Sequence, residues 1–336
     1  MKKFFETASR ACVLTGSVVG VGFLSGKEVS LFLSGDFVAN AAVFAAVLSA
    51  ILVIASEFAR RKRACDLGET LAAALGEKVG EVASFVLSSC LFVVSATTLA
   101  GFNDCFCRLC FLPSDLPIFS FLCALICGAV LFFGIKGVAL TSAAALPVVA
   151  FAVLLCFVFG DRSLPAQTTH FGHYGAVFYA IESATLTFGV AASTSANSSF
   201  RRNVVATTIC GVTLFLAAVA VCSVTQNGED FPIFAAAEQG GPFVVAITCV
   251  AVAFAALTTV CSSCLVISSH LDKIFDDKFL SISLTLFLST LLSVFGFDNI
   301  AKWFYPSATV LGALLAVFAV FRSVLSKMRK RKTASF

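Results

Sequence analysis

Apolar residues run along this chain in ten stretches, each near the length of a membrane crossing, with short polar segments between them. They cover about 10–33, 37–58, 80–107, 116–133, 138–160, 174–198, 204–225, 242–269, 279–296 and 300–323. A hydrocarbon core about 30 Å thick takes about 20 helical residues, so each stretch predicts one spanning helix. The expected fold class is all-α integral membrane. Between the second and third stretches, Arg60 to Glu81 mixes charges with Gly68-Glu-Thr-Leu71 and predicts a short surface helix. Gly134-Ile-Lys-Gly137 predicts a tight turn, and Gln226 to Gly241, with Pro232, is long enough to fold back as a lid.

The first stretch is not a plain helix. Thr15-Gly-Ser-Val-Val-Gly-Val-Gly-Phe-Leu-Ser-Gly-Lys-Glu28 carries four glycines and ends on an ion-forming pair. Glycine weakens a helix interior, and backbone groups freed inside a bilayer are tolerated only where protein buries them or a cavity is lined. The break is therefore a candidate binding site. Glu182-Ser-Ala-Thr-Leu-Thr-Phe-Gly-Val-Ala-Ala-Ser-Thr194, in the sixth stretch, predicts a second break. The chain divides into spans one to five (1–160), spans six to ten (161–326) and a tail (327–336), and the two halves have opposite orientation. Paired interrupted helices in corresponding positions point to a transporter of inverted-repeat design with its site between helices 1 and 6.

Charge adds orientation. Most of the 23 Lys and Arg residues fall on one side of the predicted spans, leaving Arg108, Arg162 and Lys302 on the other and Lys27 near the break. By the positive-inside rule both termini are cytoplasmic, in a cell membrane. Lys327 to Lys332 reads as a basic anchor against anionic lipid. A formal charge of +4 distributed in this way excludes a nucleic-acid partner. Lys2 and Lys3 ahead of an apolar run resemble a signal peptide, but Glu6 and Arg10 interrupt it and no small-x-small site closes it, so a retained first helix is expected.

Fourteen cysteines lie mostly within apolar runs and read as small buried residues. Cys105, Cys107 and Cys110 leave a disulfide open, and Cys261-Ser-Ser-Cys264 lacks the companions of a metal or redox site. No nucleophile–base pair appears, so an enzyme is not expected.

At the glycine-rich break the chain resembles the amino acid, polyamine and organocation transporter superfamily, whose LeuT fold has five plus five inverted spans. More narrowly, Gly20-Val-Gly-Phe-Leu-Ser-Gly-Lys-Glu28 looks like the Gly-x-Gly-Phe-x-Ser-Gly-x-Glu segment of YkvI-type membrane proteins. The resemblance implies a sodium ion held by the carbonyls of Gly16, Val19 and Ala255 and the hydroxyls of Thr258 and Thr259. It also implies a substrate facing Val21, Gly22 and Phe23 on span one and Thr185, Thr187, Phe188 and Gly189 on span six. Phe23 replaces the asparagine that serves a second sodium in many members, which implies one sodium site at most. Span three has no tyrosine for a substrate carboxylate, leaving Phe92, Ser95, Thr97 and Thr98 as replacements.

Physical chemistry fits these roles. A small hard cation takes neutral oxygens, and the positive end of a half-helix near Gly22 suits a carboxylate. The expected function is cation-coupled symport of a small amino acid or related zwitterion by alternating access. Glu182, an acid well inside a late span, could instead receive an amine, carry a coupling proton, gate the outer side, or lie solvated near the interface. The alternatives are a proton-driven exporter or exchanger using Glu182, and a non-transporting receptor or scaffold. Lys27 and Glu28 are expected to pair with each other or with neighbours as support, Asn103 and Asp104 to cap or gate, and His170 and His173 to be surface residues. The sequence leaves the substrate and the oligomeric state open.

Overall fold

The computed structural model describes residues 2–33, 35–64, 66–113, 116–160, 174–196, 198–224, 231–297, 299–300, 303–304, 307 and 310–311. Most of the tenth predicted span, the basic tail, the connection carrying His170 and His173, and the start of the predicted lid lie outside them. Within them every regular element is helical, and six helices are long and apolar enough to cross a membrane.

The first span is in three pieces: α1 (Lys2–Val18), α2 (Val21–Ser25) and α3 (Lys27–Leu33). It starts eight residues earlier than its apolar run, because the amphipathic Lys2–Arg10 turns continue the helix. Gly20 is extended at φ −90° and ψ −173°, and Gly26 caps α2 in the left-handed region at φ 89°. The left-handed conformation costs a residue with a Cβ but not glycine. Gly26 thus sets the second joint, while at the first Gly20 is in ordinary extended backbone and its missing side chain leaves room for Thr259 Oγ1, 3.2 Å from where a Cβ would sit.

Next come α4 (Phe37–Lys62) and the surface helix α5 (Leu67–Leu75), where the mixed segment predicted one. Asp36 and Asp66 cap them by accepting from Ala39 N and Glu69 N at 3.3 and 2.8 Å. Helix α6 (Glu77–Leu109) lies so close to α5 that a Cβ on Gly80 would strike the Ala72 backbone. Helices α7 (Ile118–Phe132) and α8 (Ile135–Phe159) are joined at Gly134, φ 58°, which is the predicted turn. Asn103 accepts from Phe119 N at 3.1 Å, tying α6 to the start of α7. The second set is α9 (Gly175–Ser195), α10 (Phe200–Val224), the short α11 (Pro232–Gln239), α12 (Pro242–Phe275) and α13 (Lys278–Ser293). Of the predicted lid, α11 buries Pro232, Ile233, Ala236 and Ala237 against its neighbours.

One expectation fails: α9 is continuous, so helix 6 is not broken. Its hydroxyls bond back to their own helix, Thr185 to Ile181 O at 2.7 Å and Thr194 to Val190 O at 2.8 Å, which satisfies them without unwinding. Gly189 serves close packing instead. A Cβ there would come within 2.7 Å of Val266 Cγ1, so the missing side chain lets α9 lie against α12.

Helix α1 packs among α8, α9, α10 and α12, while α4 covers α9 and α10 on one flank. Large apolar residues such as Phe121, Leu125, Leu140, Leu154 and Phe287 face outward, as a lipid-facing surface requires. Arg10 does not face water with the other N-terminal charges. It is 6% exposed and donates to Ser56 Oγ on α4 at 2.9 Å, to Ser195 Oγ on α9 at 2.8 Å, and to Asn203 Oδ1 on α10. Nearby, Arg202 bonds Glu6 at 2.8 Å, joining α10 to α1 at the surface.

Candidate functional site

The break in α1 frees specific oxygens. In an unbroken helix Gly16 O would accept from Gly20 N, but that amide bonds Val18 O at 2.9 Å, and the first amide of the next turn is Leu24 N on Gly20 O at 3.0 Å. Gly16 O and Val19 O are thereby left facing α12. Thr259 Oγ1 reaches across and donates toward both, at 3.2 and 3.4 Å. Thr258, one residue earlier, donates to Ala255 O at 3.0 Å within its own helix. Of the five oxygens that the resemblance groups together, Gly16 O, Val19 O and Thr259 Oγ1 meet between α1 and α12, while Thr258 Oγ1 and Ala255 O are bonded to each other within α12.

Approach is close there because Gly16 has no side chain. A Cβ would sit 3.1 Å from Ser142 Oγ and 3.2 Å from Thr258 Cβ. Ser142 Oγ, contributed by α8, is buried and has no hydrogen-bond partner among the described residues. Ser142 thus adds a buried hydroxyl beside Gly16, and neutral hydroxyls and carbonyls of this kind suit a small hard cation.

Beside this junction lies a partly enclosed cavity of about 50 Å³. Its walls come from the α1 break, α6, α9 and α12, with Phe297 closing one side. Gly22 faces it, whereas Val21 and Phe23 are core residues, 1% and 0% exposed. On α6 the wall residues are Val94, Thr97 and Thr98. Ser95 points elsewhere: it donates to Leu91 O at 3.0 Å and accepts from Cys264 Sγ at 3.6 Å.

The wall of α9 is Tyr179, Glu182, Ser183, Leu186 and Val190, one helical face at spacings of three and four. Of the expected residues only Glu182 belongs to it, and it is 2% exposed. The others face away because α9 does not unwind. Thr187 is buried and meets Ser17 Oγ at 3.5 Å, Gly189 faces Val266, and Thr185 and Phe188 lie off the cavity.

Glu28 was missed as a site residue. Its carboxylate folds back from the start of α3 and lies on Gly22, where a Cβ would collide with its Oε1 and come within 3.0 Å of its Cγ. Tyr179 donates to Glu28 Oε2 at 2.9 Å, and the Tyr179 ring is held between Phe32 and Phe44 at centroid distances of 5.1 and 4.8 Å. Glycines at 22 and 26 ahead of an acid at 28 were the available signal: one gives space and the other the reversal of direction. Lys27 places its ammonium over the Phe297 ring, 5.5 Å from the centroid. Asp104 accepts from Phe297 N at 3.4 Å, which steadies the residue that closes the cavity. The three cysteines at the end of α6 are free thiols, with Cys105 and Cys107 buried and Cys110 exposed.

Comparison with solved structures gives this geometry a context. MhsT, in a crystal structure in complex with L-phenylalanine, matches with a TM-score of 0.66 and 16% identity over 94% of this chain and 91% of that one. The chain has the LeuT fold. Mhp1, a nucleobase-cation-symport-1 family transporter in a closed conformation with bromovinylhydantoin bound, matches with a TM-score of 0.68 and 17% identity, over 93% and 77%. No protein-family model matches the sequence, and the search of curated proteins gave no match. The likeness is one of fold: an all-α, multi-pass membrane architecture.

Proposed function

We propose that the protein is a secondary transporter that moves a small, amine-bearing solute together with sodium by alternating access. The observation that carries this reading is the meeting of the freed Gly16 and Val19 carbonyls with Thr259, directly beside a cavity that a solute can enter. The Gly16, Val19 and Ala255 carbonyls with the Thr258 and Thr259 hydroxyls would hold the ion, and the buried Ser142 hydroxyl beside Gly16 would be a further candidate ligand. When bound, sodium supplies a positive charge that both α1 and α12 contact. The chain's own contribution is to present oxygens from two helices, so that the junction is tightest when the two are together. Opening toward either side then amounts to rocking α1 and α9 against α6 and α12. An amino acid is the solute the sequence favours.

Uptake by proteoliposomes tests it. Flux should fall to background when choline replaces sodium, and unchanged flux removes the sodium reading. A second reading is favoured by the burial of Glu182, because an acid at 2% exposure is a natural carrier of a coupling proton. Flux driven by a pH gradient without sodium, and lost in Glu182→Gln, would select that reading.

A further inference from the structure

The C-terminal end of α6 carries Cys107-Arg-Leu-Cys110, a pair of thiols that takes no part in the cavity or the cation junction. Cys107 is buried and Cys110 is exposed. We propose that these two cysteines are a reversible disulfide site on the outer face of the membrane, with Cys110 as the entering thiol and Cys107 as the resolving one. The site is independent of what the cavity takes.

Helix α6 has 33 residues, about 50 Å of helix, against a hydrocarbon core of about 30 Å. The helix overshoots the core, and Asp104 and Arg108 in its last two turns place that end at the water interface. Its start, with Lys78, follows the Arg60, Arg61 and Lys62 end of α4, on the side that the positive-inside rule makes cytoplasmic. The cysteine end then faces the outer compartment, where thiols meet disulfides and no glutathione pool keeps them reduced.

Residues three apart share a helical face and residues two apart do not, so Cys107 neighbours Cys110 and not Cys105. Cβ atoms at this spacing lie about 5–6 Å apart, and a disulfide takes about 3.5–4.5 Å, so the last turn must draw in by about 1–2 Å. The helix stops at Cys110, φ −90° and ψ 2°, in a reversal where Leu112 N donates to Cys107 O at 2.9 Å and Phe111 N to Arg108 O at 3.3 Å. In this Schellman arrangement the left-handed residue is usually glycine. Here it is Phe111, at φ 56° and 97% exposed. A left-handed residue with a Cβ is strained and this ring gains almost no packing, so the reversal is the least costly part of α6 to remodel. Asp104, one turn before Cys107, accepts from Phe297 N, so the pair sits beside the support of the residue that closes the cavity. In the exchange, the Cys110 thiolate attacks a disulfide R–S–S–R, forming a mixed disulfide and releasing RS⁻. The Cys107 thiolate then attacks the Cys110 sulfur, closing the protein disulfide and releasing the second RS⁻. The two protons given up by the cysteines end on the two RS⁻, so two thiols are oxidised and R–S–S–R is reduced to 2 RSH.

Peptide mapping of the full chain, purified without reductant, tests the proposal, because tryptic cleavage after Arg108 separates the two cysteines into peptides 79–108 and 109–136. After the folded chain is incubated with oxidised glutathione, alkylated and digested, these two peptides should stay joined, and dithiothreitol should part them. The link should be lost in Cys107→Ser and in Cys110→Ser and kept in Cys105→Ser and Cys249→Ser. Cys110 is exposed, so its serine variant keeps the packing of the unaltered chain, and the mapping of the unaltered chain needs no variant. In intact cells a membrane-impermeant maleimide should label Cys110 only after mild reduction. The proposal is overturned if the peptides part freely after oxidised glutathione, if the link survives Cys107→Ser, or if peptide 109–136 is joined instead to the α12 peptide carrying Cys249. Labelling of Cys110 that is equal with and without reduction, or absent in both, overturns it as well.

Discussion

Replacing Gly22 with alanine should be costly for one reason only, and a second substitution should remove that reason. The new Cβ would occupy the space of the Glu28 carboxylate, so that side chain must swing away and give up its bond from Tyr179. A hydrogen bond to a charged group contributes about 1.5–3 kcal/mol, and forcing atoms into a packed site costs about 1–3 kcal/mol. Against this, alanine favours the short α2 helix by up to about 1 kcal/mol over glycine. The expected net loss is about 1.5–6 kcal/mol, the lower end applying where the full helical gain offsets it. In a Glu28→Ala background the space is empty and only the helical gain remains, so Gly22→Ala should be neutral or stabilising by up to about 1 kcal/mol. The coupling between the two sites is then about 2.5–6 kcal/mol, the helical gain cancelling between backgrounds, read from reversible unfolding of all four proteins in mixed micelles. Equal cost in both backgrounds would show that Glu28 does not lie on Gly22, and the acid-lined cavity would go with it.

Thr259→Ala removes the one hydroxyl that spans Gly16 and Val19, so the sodium concentration for half-maximal uptake should rise about tenfold, equivalent to roughly 1.4 kcal/mol. Thr259→Ser should restore it, and Thr258→Ala should have a smaller effect. Gly189→Ala pushes a Cβ into Val266 and should cost about 1–3 kcal/mol in unfolding measurements. Val266→Ala in the same chain should recover most of that, whereas an unwound α9 would show no such rescue. Gly80→Ala meets backbone, not a movable side chain, and should lower the unfolding midpoint by an amount equivalent to about 3 kcal/mol, with no single partner substitution able to relieve it.

The helices were legible because bilayer-length apolar runs carry their own boundaries, and Gly134 and the glycines of the first span mark real turns. Continuity was not legible in α9. A cluster of Ser, Thr and Gly reads the same whether its hydroxyls serve a ligand or bond back one turn. Only the position of Val266 on another helix shows that Gly189 is there for packing. The register between Gly16, Val19 and Thr259 followed from a resemblance that spans both segments, whereas the role of Glu28 depended on a reversal of direction. Being next to Lys27, it suggested a local ion pair, but the left-handed Gly26 turns it back toward Gly22. Arg10 was counted among surface charges for a similar reason: sequence gives its distance from the chain's start but not what α4, α9 and α10 place around it.

That arginine gives α1 two fastenings of different kinds. The Glu6–Arg202 pair is an ion pair with side chains 49% and 32% exposed, open to screening within about 8 Å at physiological salt. Among the described residues Arg10 engages neutral oxygens, from Ser56, Ser195 and Asn203, and does so out of water. Ionic strength therefore loosens the surface fastening more than the buried one. The N-terminal half of α1 is thus held by one clasp that salt weakens and another that water entering between the helices would have to replace, hydrogen bond for hydrogen bond.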